Sequence, residues 1–191
     1  VFDVTRFNEI HIGDEVAQSN SAHYIMLNKP AGCVSATIDP EHQTVVDLID
    51  EPFAELLHLA GRLDKESTGL MILTNDGRWS RLLTEPDEAM PKTYLVTTEK
   101  TLSPESVDAF REGFYFAYED ITTLPAELEI LSSHSARVII YEGKYHQIKR
   151  MFHAVGNRVT SIHREKIGNI TLNENLPPGG YRSLTNDEIN T

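Results

Sequence analysis

The chain has 191 residues, of which 40% are hydrophobic and 24% are charged, and its 17 Lys and Arg stand against 29 Asp and Glu for a formal net charge of −12. This composition excludes a wholly disordered chain, and the apolar runs, such as residues 70–73, are too short for a membrane-spanning helix of about 18 residues. The single cysteine, Cys33, excludes an intrachain disulfide and a cysteine-rich zinc site, and it makes a reducing cytoplasm the expected location.

The first half of the chain predicts short elements separated by turns. An irregular lead-in at 1–21 is followed by a strand at 23–27, which ends before a proline. A short helix is predicted at 44–49, where a threonine can serve as its N-cap. The apolar run at 70–73 is bounded by turn residues and predicts a buried strand, and 79–83 predicts a helical turn.

The second half predicts two hairpin strands after a helix. A strand at 93–98 precedes a helix at 104–113, which has a proline in its first turn and a glycine at its end. Residues 124–131 and 136–142 then predict the two strands of a hairpin.

The clearest predicted helix covers residues 145–155. Its apolar side chains recur with the spacing of a buried helix face: Ile148, Met151, Phe152 and Val155. Gly156 stands where a helix C-cap is expected.

Strands near 158–163 and 167–172, and a short helix after Thr185, complete the predicted elements. Many strands combined with few, non-alternating helices predict an α+β fold, in which helices flank a mixed, largely antiparallel sheet.

Charge is distributed unevenly along the chain. Residues 1–58 hold ten acids against two bases, whereas residues 143–166 hold six bases against one acid. These bases are Lys144, Lys149, Arg150, Arg158, Arg164 and Lys166. A negative net charge argues against a nucleic-acid partner, because phosphate binding depends on Lys and Arg. The basic cluster is nevertheless the first candidate for a functional surface.

Asp64 is the first candidate for chemistry. It lies in the string GRLDKESTGL at residues 61–70, just before the predicted buried strand. Ordinary turn chemistry would use its carboxylate to cap the amide of Ser67. The alternative is an ionised carboxylate that acts as nucleophile or base, which needs a neighbouring cation to stay charged away from water. Arg62 and the basic helix around Lys149 are the available cations.

Other chemistries find little support in the sequence. No GxSxG motif surrounds Ser67, and the i, i+2 spacing of Asp64 and Glu66 points their carboxylates apart, unlike a glycosidase pair. No histidine pair has metal-binding spacing, and no glycine-rich phosphate loop is present. The sequence therefore predicts neither a metal nor a nucleotide cofactor.

Four segments together resemble the pseudouridine synthases of the RsuA-type branch. They are LNKPAG at 27–32, GRLD at 61–64 running into GLMILTNDG at 69–77, KTYLV at 92–96, and EGKYHQIKRMF at 142–152. They agree with the family in order and spacing. The resemblance covers roughly residues 22–191, the length of a single catalytic domain.

The resemblance implies a pseudouridine-synthase catalytic core that converts a uridine of RNA to pseudouridine without cofactor or metal. It assigns a catalytic role to Asp64, a ring that stacks on the flipped uracil to Tyr94, and a cation paired with Asp64 to Lys149. Core packing is the alternative for Tyr94, and a solvated lysine is the alternative for Lys149. Ile148 is expected to form an apolar wall or to be a plain core residue. Arg62 is expected to contact phosphate or to fill the gap left by the flipped base, with a structural ion pair as its alternative.

Five further bases are expected to contact backbone phosphates, and so to position the RNA without choosing the uridine. They are Lys29, Arg150, Arg158, Arg164 and Lys166.

The strings at 39–45 and 144–151 most resemble family members that act on 16S ribosomal RNA, which implies uridine 516 as the target. A 23S target is the first alternative. A non-catalytic factor that clamps ribosomal RNA, and a glycosidase that releases free base, are alternatives of other classes. The expected partner is ribosomal RNA or a pre-ribosomal particle, with no membrane, and the chain is expected to be a monomer.

Members of this branch usually carry an S4-like RNA-binding domain before the catalytic domain. Residues 10–16 resemble the tail of such a module, so 1–21 is expected to be its remnant and 22–191 the catalytic domain. We therefore expect the chain to be a fragment with weak affinity for RNA.

Overall fold

The computed structural model describes Phe7 and residues 10–12, 15–18, 21–85 and 89–190. Two short antiparallel strands, β1 (Ile10–Ile12) and β2 (Glu15–Gln18), fall within the predicted lead-in. Most of the expected S4-like remnant at 1–21 lies outside the described residues.

Nine strands of the described chain form one sheet. They are β3 (Tyr24–Lys29), β4 (His58–Leu59), β5 (Thr68–Thr74), β6 (Lys92–Thr98), β9 (Glu127–Ser132), β10 (Ser135–Ile140), β11 (Val159–Ile167), β12 (Ile170–Thr171) and β13 (Tyr181–Ser183). β7 (Tyr115–Phe116) and β8 (Ile121–Thr122) form a separate hairpin.

The main sheet has the strand order β13-β3-β5-β11-β6-β10-β9, with β4 paired to β5 and β12 paired to β11. β5 and β11 run parallel, and the other described pairs of this sheet run antiparallel. The predicted α+β class with a mixed, largely antiparallel sheet is confirmed.

Four α-helices accompany the sheet in the described ranges. They are α1 (Gly77–Thr84), α2 (Glu105–Glu112), α3 (Gln147–Ala154) and α4 (Asn186–Ile189). α1 begins after Asp76, whose carboxylate accepts hydrogen bonds from the amides of Arg78 and Trp79. None of the helices among the described residues is long and apolar enough to cross a bilayer.

The central strands are buried on both faces, which explains why β5 is apolar without alternation. Met71 and Leu73 of β5 belong to the hydrophobic cluster that includes α3, whereas Leu70 and Ile72 belong to the cluster that includes α1. β5 is therefore packed on both of its faces.

The boundaries of some elements differ from those predicted from the sequence. The strand predicted at 158–163 continues to Ile167, because β11 pairs with β6 along its whole length. The short β12 then returns after Gly168, whose φ of +55° provides the tight turn. The helix predicted at 44–49 is a 3₁₀ turn at Val46–Leu48. Strands of two or three residues, such as β4, are too short to produce a periodic signal.

An ion pair near the C-terminus makes part of the stability depend on pH. Arg182 donates hydrogen bonds of 2.7 and 2.8 Å to the two carboxylate oxygens of Glu188, and the amide of Thr185 donates another. The bonds from Arg182 are the largest cause that lowers the pKa of Glu188 from 4.5 to about 2. Because this folded-state pKa lies below the unfolded value, the stabilisation is complete above about pH 5 and is lost as the pH falls towards 2.

We expect Glu188→Gln to lower the free energy of unfolding by about 1–2 kcal/mol at pH 7. The difference from the wild type should shrink as the pH is lowered from 5 towards 3. Denaturant titrations of both proteins across this range measure it. A difference that stays constant with pH would contradict the assigned charge interaction.

Candidate active site

A buried lysine holds the loop that carries Asp64 through hydrogen bonds to main-chain carbonyl oxygens. Lys29, at the end of β3, is 0% exposed, and its ammonium donates to the carbonyl oxygens of Pro30, Lys65 and Ser67 at 3.0, 2.9 and 2.8 Å. Desolvation lowers the pKa of Lys29. The predicted phosphate contact for Lys29 is wrong, because the ammonium is enclosed and its three donors are used by main-chain carbonyls.

Arg164 of β11 ties the two ends of the same loop together. It is 1% exposed, its Nε donates to the carbonyl oxygen of Leu70 at 2.7 Å, and its Nη1 donates to that of Arg62 at 3.3 Å. The predicted phosphate contact for Arg164 is also wrong, since the guanidinium is buried within the fold. Two buried cations thus position the loop on which Asp64 stands.

The carboxylate of Asp64 faces the beginning of α3. Its Oδ2 lies 2.6 Å from Nζ of Lys149 and 3.5 Å from Nε2 of His146. The amide of Ser67 donates to the main-chain carbonyl of Asp64 at 3.0 Å, so the backbone itself closes the turn. The structure therefore brings Asp64 and Lys149 together. The carboxylate pairs with the ammonium of Lys149 and does not cap the amide of Ser67.

The amphipathic pattern of α3 explains the direction of Lys149. Ile148, Met151 and Phe152 are buried in the core, so the intervening Lys149 is directed away from it and is 38% exposed. The residue before the helix, His146, adopts a left-handed conformation with φ +50°. Such a backbone is uncommon for a residue other than glycine and is frequent at functional sites.

Sequence reasoning missed His146. Its ring stacks on that of the exposed Tyr145, with 3.9 Å between the ring centroids, and its Nε2 is the second nitrogen beside the Asp64 carboxylate. The one signal available was its position inside the matched segment at 142–152, because no spacing rule relates it to Asp64.

Tyr94 borders the same space from the sheet. It lies on β6, paired with Arg164 of β11 and with Val138 of β10, and is 6% exposed. A small pocket of about 100 Å³ is lined by Asp64, Tyr94, Ile148 and Lys149, among others. Ile148 is 5% exposed and belongs to the core cluster, so it is at once a core residue and part of the pocket wall.

This pocket opens into a larger cleft of about 830 Å³. Its charged lining residues are Arg62, Asp64, Lys65, Glu85, Lys92, Glu142, Lys144 and Arg164. Lys144 pairs with Glu142 at 3.1 Å, and burial, followed by the charge of Arg164, lowers the pKa of Lys92. Apart from the buried Arg164, four bases stand against three acids in this lining although the whole chain is acidic. The cleft can therefore receive an anionic chain such as nucleic acid.

Arg62 lies exposed at this cleft. Among the described residues, no carboxylate lies within 4.0 Å of its guanidinium, so the structure does not show the alternative of an ion pair there.

The three other predicted phosphate contacts have different surroundings. Arg150 makes two hydrogen bonds of 2.7 and 2.8 Å to Glu119, so its charge is already paired. Arg158 is 79% exposed and lies just before β11, whose first residue, Val159, pairs with Thr98 and not with Tyr94. Lys166 is half-buried on β11. Among the described residues that line the cleft, neither Arg158 nor Lys166 is present.

Comparison with known proteins gives consistent matches along the chain. The sequence model of a family described as RNA pseudouridylate synthase matches residues 23–154. A ribosomal small subunit pseudouridine synthase A of Pseudomonas aeruginosa is 48% identical over 188 residues, covering 98% of this chain and 82% of that protein. The protein of the same name from Salmonella typhimurium is 50% identical over 177 residues, covering 93% and 77%. A crystal structure of a pseudouridylate synthase superposes with a TM-score of 0.86 at 43% identity, covering 99% of this chain and 82% of the other.

Proposed function

Because the chain belongs to the RNA pseudouridylate synthase family, we propose that it isomerises a uridine of 16S ribosomal RNA, uridine 516, to pseudouridine. The choice of small-subunit RNA rests on the names of relatives that are 48–50% identical over more than nine-tenths of the chain. The choice of uridine 516 rests on the resemblance of the strings at 39–45 and 144–151. The proposed setting is ribosomal RNA or a pre-ribosomal particle in the cytoplasm, with the enzyme acting as a monomer.

The observation that carries the proposal is the 2.6 Å contact between Asp64 and Lys149 beside the ring of Tyr94. In the reaction the bond between N1 of uracil and C1′ of ribose breaks, and a bond between C5 and C1′ forms. The proton on C5 is lost and N1 regains one, so the change is an isomerisation. Asp64 would attack the sugar carbon, attack the uracil ring or remove a sugar proton, and each of these requires an ionised carboxylate. The ammonium of Lys149 supplies the opposite charge at 2.6 Å.

A uridine in structured RNA must leave its stack to reach Asp64, at a cost of a few kcal/mol. The cleft, about 830 Å³ in volume, accommodates a nucleoside, and the ring of Tyr94 offers a surface for the flipped uracil. Arg62, exposed at the cleft, would fill the gap in the RNA or contact a phosphate, and Arg158 and Lys166 would contact more distant phosphates.

The direct test incubates the chain with small-subunit RNA transcripts and maps pseudouridine by chemical modification and sequencing. Formation of pseudouridine at position 516 supports the proposal. Release of free uracil would identify a glycosidase instead, and RNA binding without any product would identify an assembly factor. A product only in 23S RNA would preserve the reaction and overturn the substrate. Mapping both ribosomal RNAs from cells that lack the protein provides the matching observation in vivo.

The two roles of the Tyr94 side chain can be separated with two variants. We expect Tyr94→Phe to keep KM within about fivefold of the wild-type value, since the ring that stacks on uracil is retained. We expect Tyr94→Ala to reduce kcat/KM by roughly a hundredfold or more, and also to destabilise the fold by about 3 kcal/mol because it leaves a cavity. Steady-state kinetics at a temperature well below both melting transitions measure the effect. Full activity of folded Tyr94→Ala would leave only the core-packing role.

A further inference from the structure

A second cavity lies behind the wall that His146 and Lys149 form beside Asp64. It has a volume of about 440 Å³, within the range of roughly 300–1,000 Å³ that is usual for small-ligand sites. Besides those two residues, its lining includes Tyr115, Phe116, Arg150 and His153. The outer face of α3 and the β7–β8 hairpin therefore form its two sides, and it is widely open to solvent. We call it the outer cavity.

The cations of the outer cavity already have partners. Lys149 is paired with Asp64 at 2.6 Å, and Arg150 is paired with Glu119 at 2.7 Å. A phosphate group would have to compete with these carboxylates, and it would gain less than it does at unpaired Lys or Arg side chains. The charge arrangement thus argues against a phosphate as the main occupant.

Flat groups remain available in the outer cavity. The guanidinium of Arg150 lies over the ring of Phe116, 3.6 Å from its centroid, so the pair is held as a rigid layered unit. Tyr115 is 62% exposed, and the ring of His153 is exposed as well. Aromatic rings and guanidinium planes are the surfaces on which proteins stack unpaired nucleobases.

We propose that the outer cavity is a subsite for a nucleobase that neighbours the target uridine in the RNA strand. This inference rests on the proposed function, and it deepens it by assigning part of the choice of uridine to one place. His146 and Lys149 line both cavities, so two successive bases of an unstacked strand fall on the two sides of a single wall of side chains. The catalytic pocket would select uracil, and the outer cavity would bind the nucleobase next to it in the RNA strand.

The test is a double-mutant cycle between the protein and the RNA. Single flanking nucleotides of a short small-subunit RNA are replaced, one at a time, by abasic residues. Affinity is then measured by fluorescence anisotropy for the wild type, for Tyr115→Ala and for His153→Ala. Because the readout is the Kd, the cycle does not depend on turnover.

We expect one flanking abasic position to raise the Kd of the wild type by about fivefold or more, the lower end of what base stacking contributes. The same replacement should change the Kd of Tyr115→Ala and of His153→Ala by less than about twofold, because these variants already lack the side chain on which the base would stack. Tyr118→Ala is the matched control: this tyrosine is 96% exposed in the same hairpin and does not line the outer cavity. It should respond to abasic replacement as the wild type does.

Additive effects at every flanking position, in both variants, would overturn the subsite. His153→Ala keeps the test decisive if Tyr115→Ala loses the hairpin, which a thermal melt would reveal. Coupling confined to a backbone phosphate, detected with methylphosphonate linkages and absent with abasic residues, would also overturn it in favour of a phosphate site. Failure of the wild type to form pseudouridine in any RNA would instead refute the proposed function, whatever the cycle shows.

Discussion

Asp64→Asn is expected to abolish pseudouridine formation, with a loss in kcat of roughly a thousandfold or more, while leaving the fold intact. An amide of the same shape cannot act as nucleophile or base in the proposed reaction. The fold should survive because the turn is closed by the main-chain carbonyl of Asp64, which the substitution leaves in place. The carboxylate is also 30% exposed, so the change buries no unsatisfied group.

Single-turnover assays with small-subunit RNA, together with thermal melts, measure both parts of this expectation. Glu66→Gln is the matched control, because it makes the same carboxylate-to-amide change two residues away, on an exposed side chain outside the cleft. It should retain activity close to that of the wild type. Undiminished conversion by Asp64→Asn would remove this residue from the reaction.

Gly69→Ala is expected to lower the free energy of unfolding by about 4 kcal/mol or more, a large share of the 5–15 kcal/mol of a typical domain. Gly69 has φ +102°, which strains any residue with a side chain. An added Cβ would also lie 2.3 Å from the carbonyl oxygen and 2.6 Å from the nitrogen of Arg164. These are backbone atoms of the parallel partner β11, so relief would require β5 and β11 to separate.

Denaturant titration of Gly69→Ala against Gly77→Ala isolates this effect. A Cβ at Gly77 would meet no heavy atom within 4 Å, and this glycine is the first residue of α1. Gly77→Ala should therefore leave stability unchanged or raise it by up to about 1 kcal/mol. Equal stability of the two variants would contradict the close approach of β5 and β11.

Part of the fold and of the candidate site could be predicted from the sequence, because it depends on residues close together in the chain. The apolar run of β5 between turn residues predicted a buried strand, and the i, i+3, i+4, i+7 stripe predicted α3 to within two residues at its start. The relative numbers of strands and helices predicted the α+β class. The strings around Asp64, Tyr94 and Lys149 predicted the enzyme family, which the comparisons confirm.

The roles of the buried cations were decided only by the tertiary structure. Lys29 and Arg164 carry the charge that phosphate binding requires, and the sequence analysis therefore predicted that both contact RNA phosphates. Burial depends on which segments cover a side chain, and for Arg164 the loop that does so lies about a hundred residues earlier, with a hydrogen bond spanning 102 positions to Arg62. Their charge is used to hold main-chain carbonyls, which no residue type or spacing reveals.

The contacts of Asp64 follow the same rule. Lys149 lies 85 positions further along the chain, and the resemblance paired the two where periodicity could not. His146 reaches the same carboxylate from the residue before α3, where its backbone is left-handed. Short-range patterns determine which elements form and which faces they bury, because those depend on neighbouring residues. Which charged groups end within 4 Å of one another depends on how distant elements pack, and that is settled only when the whole sheet assembles.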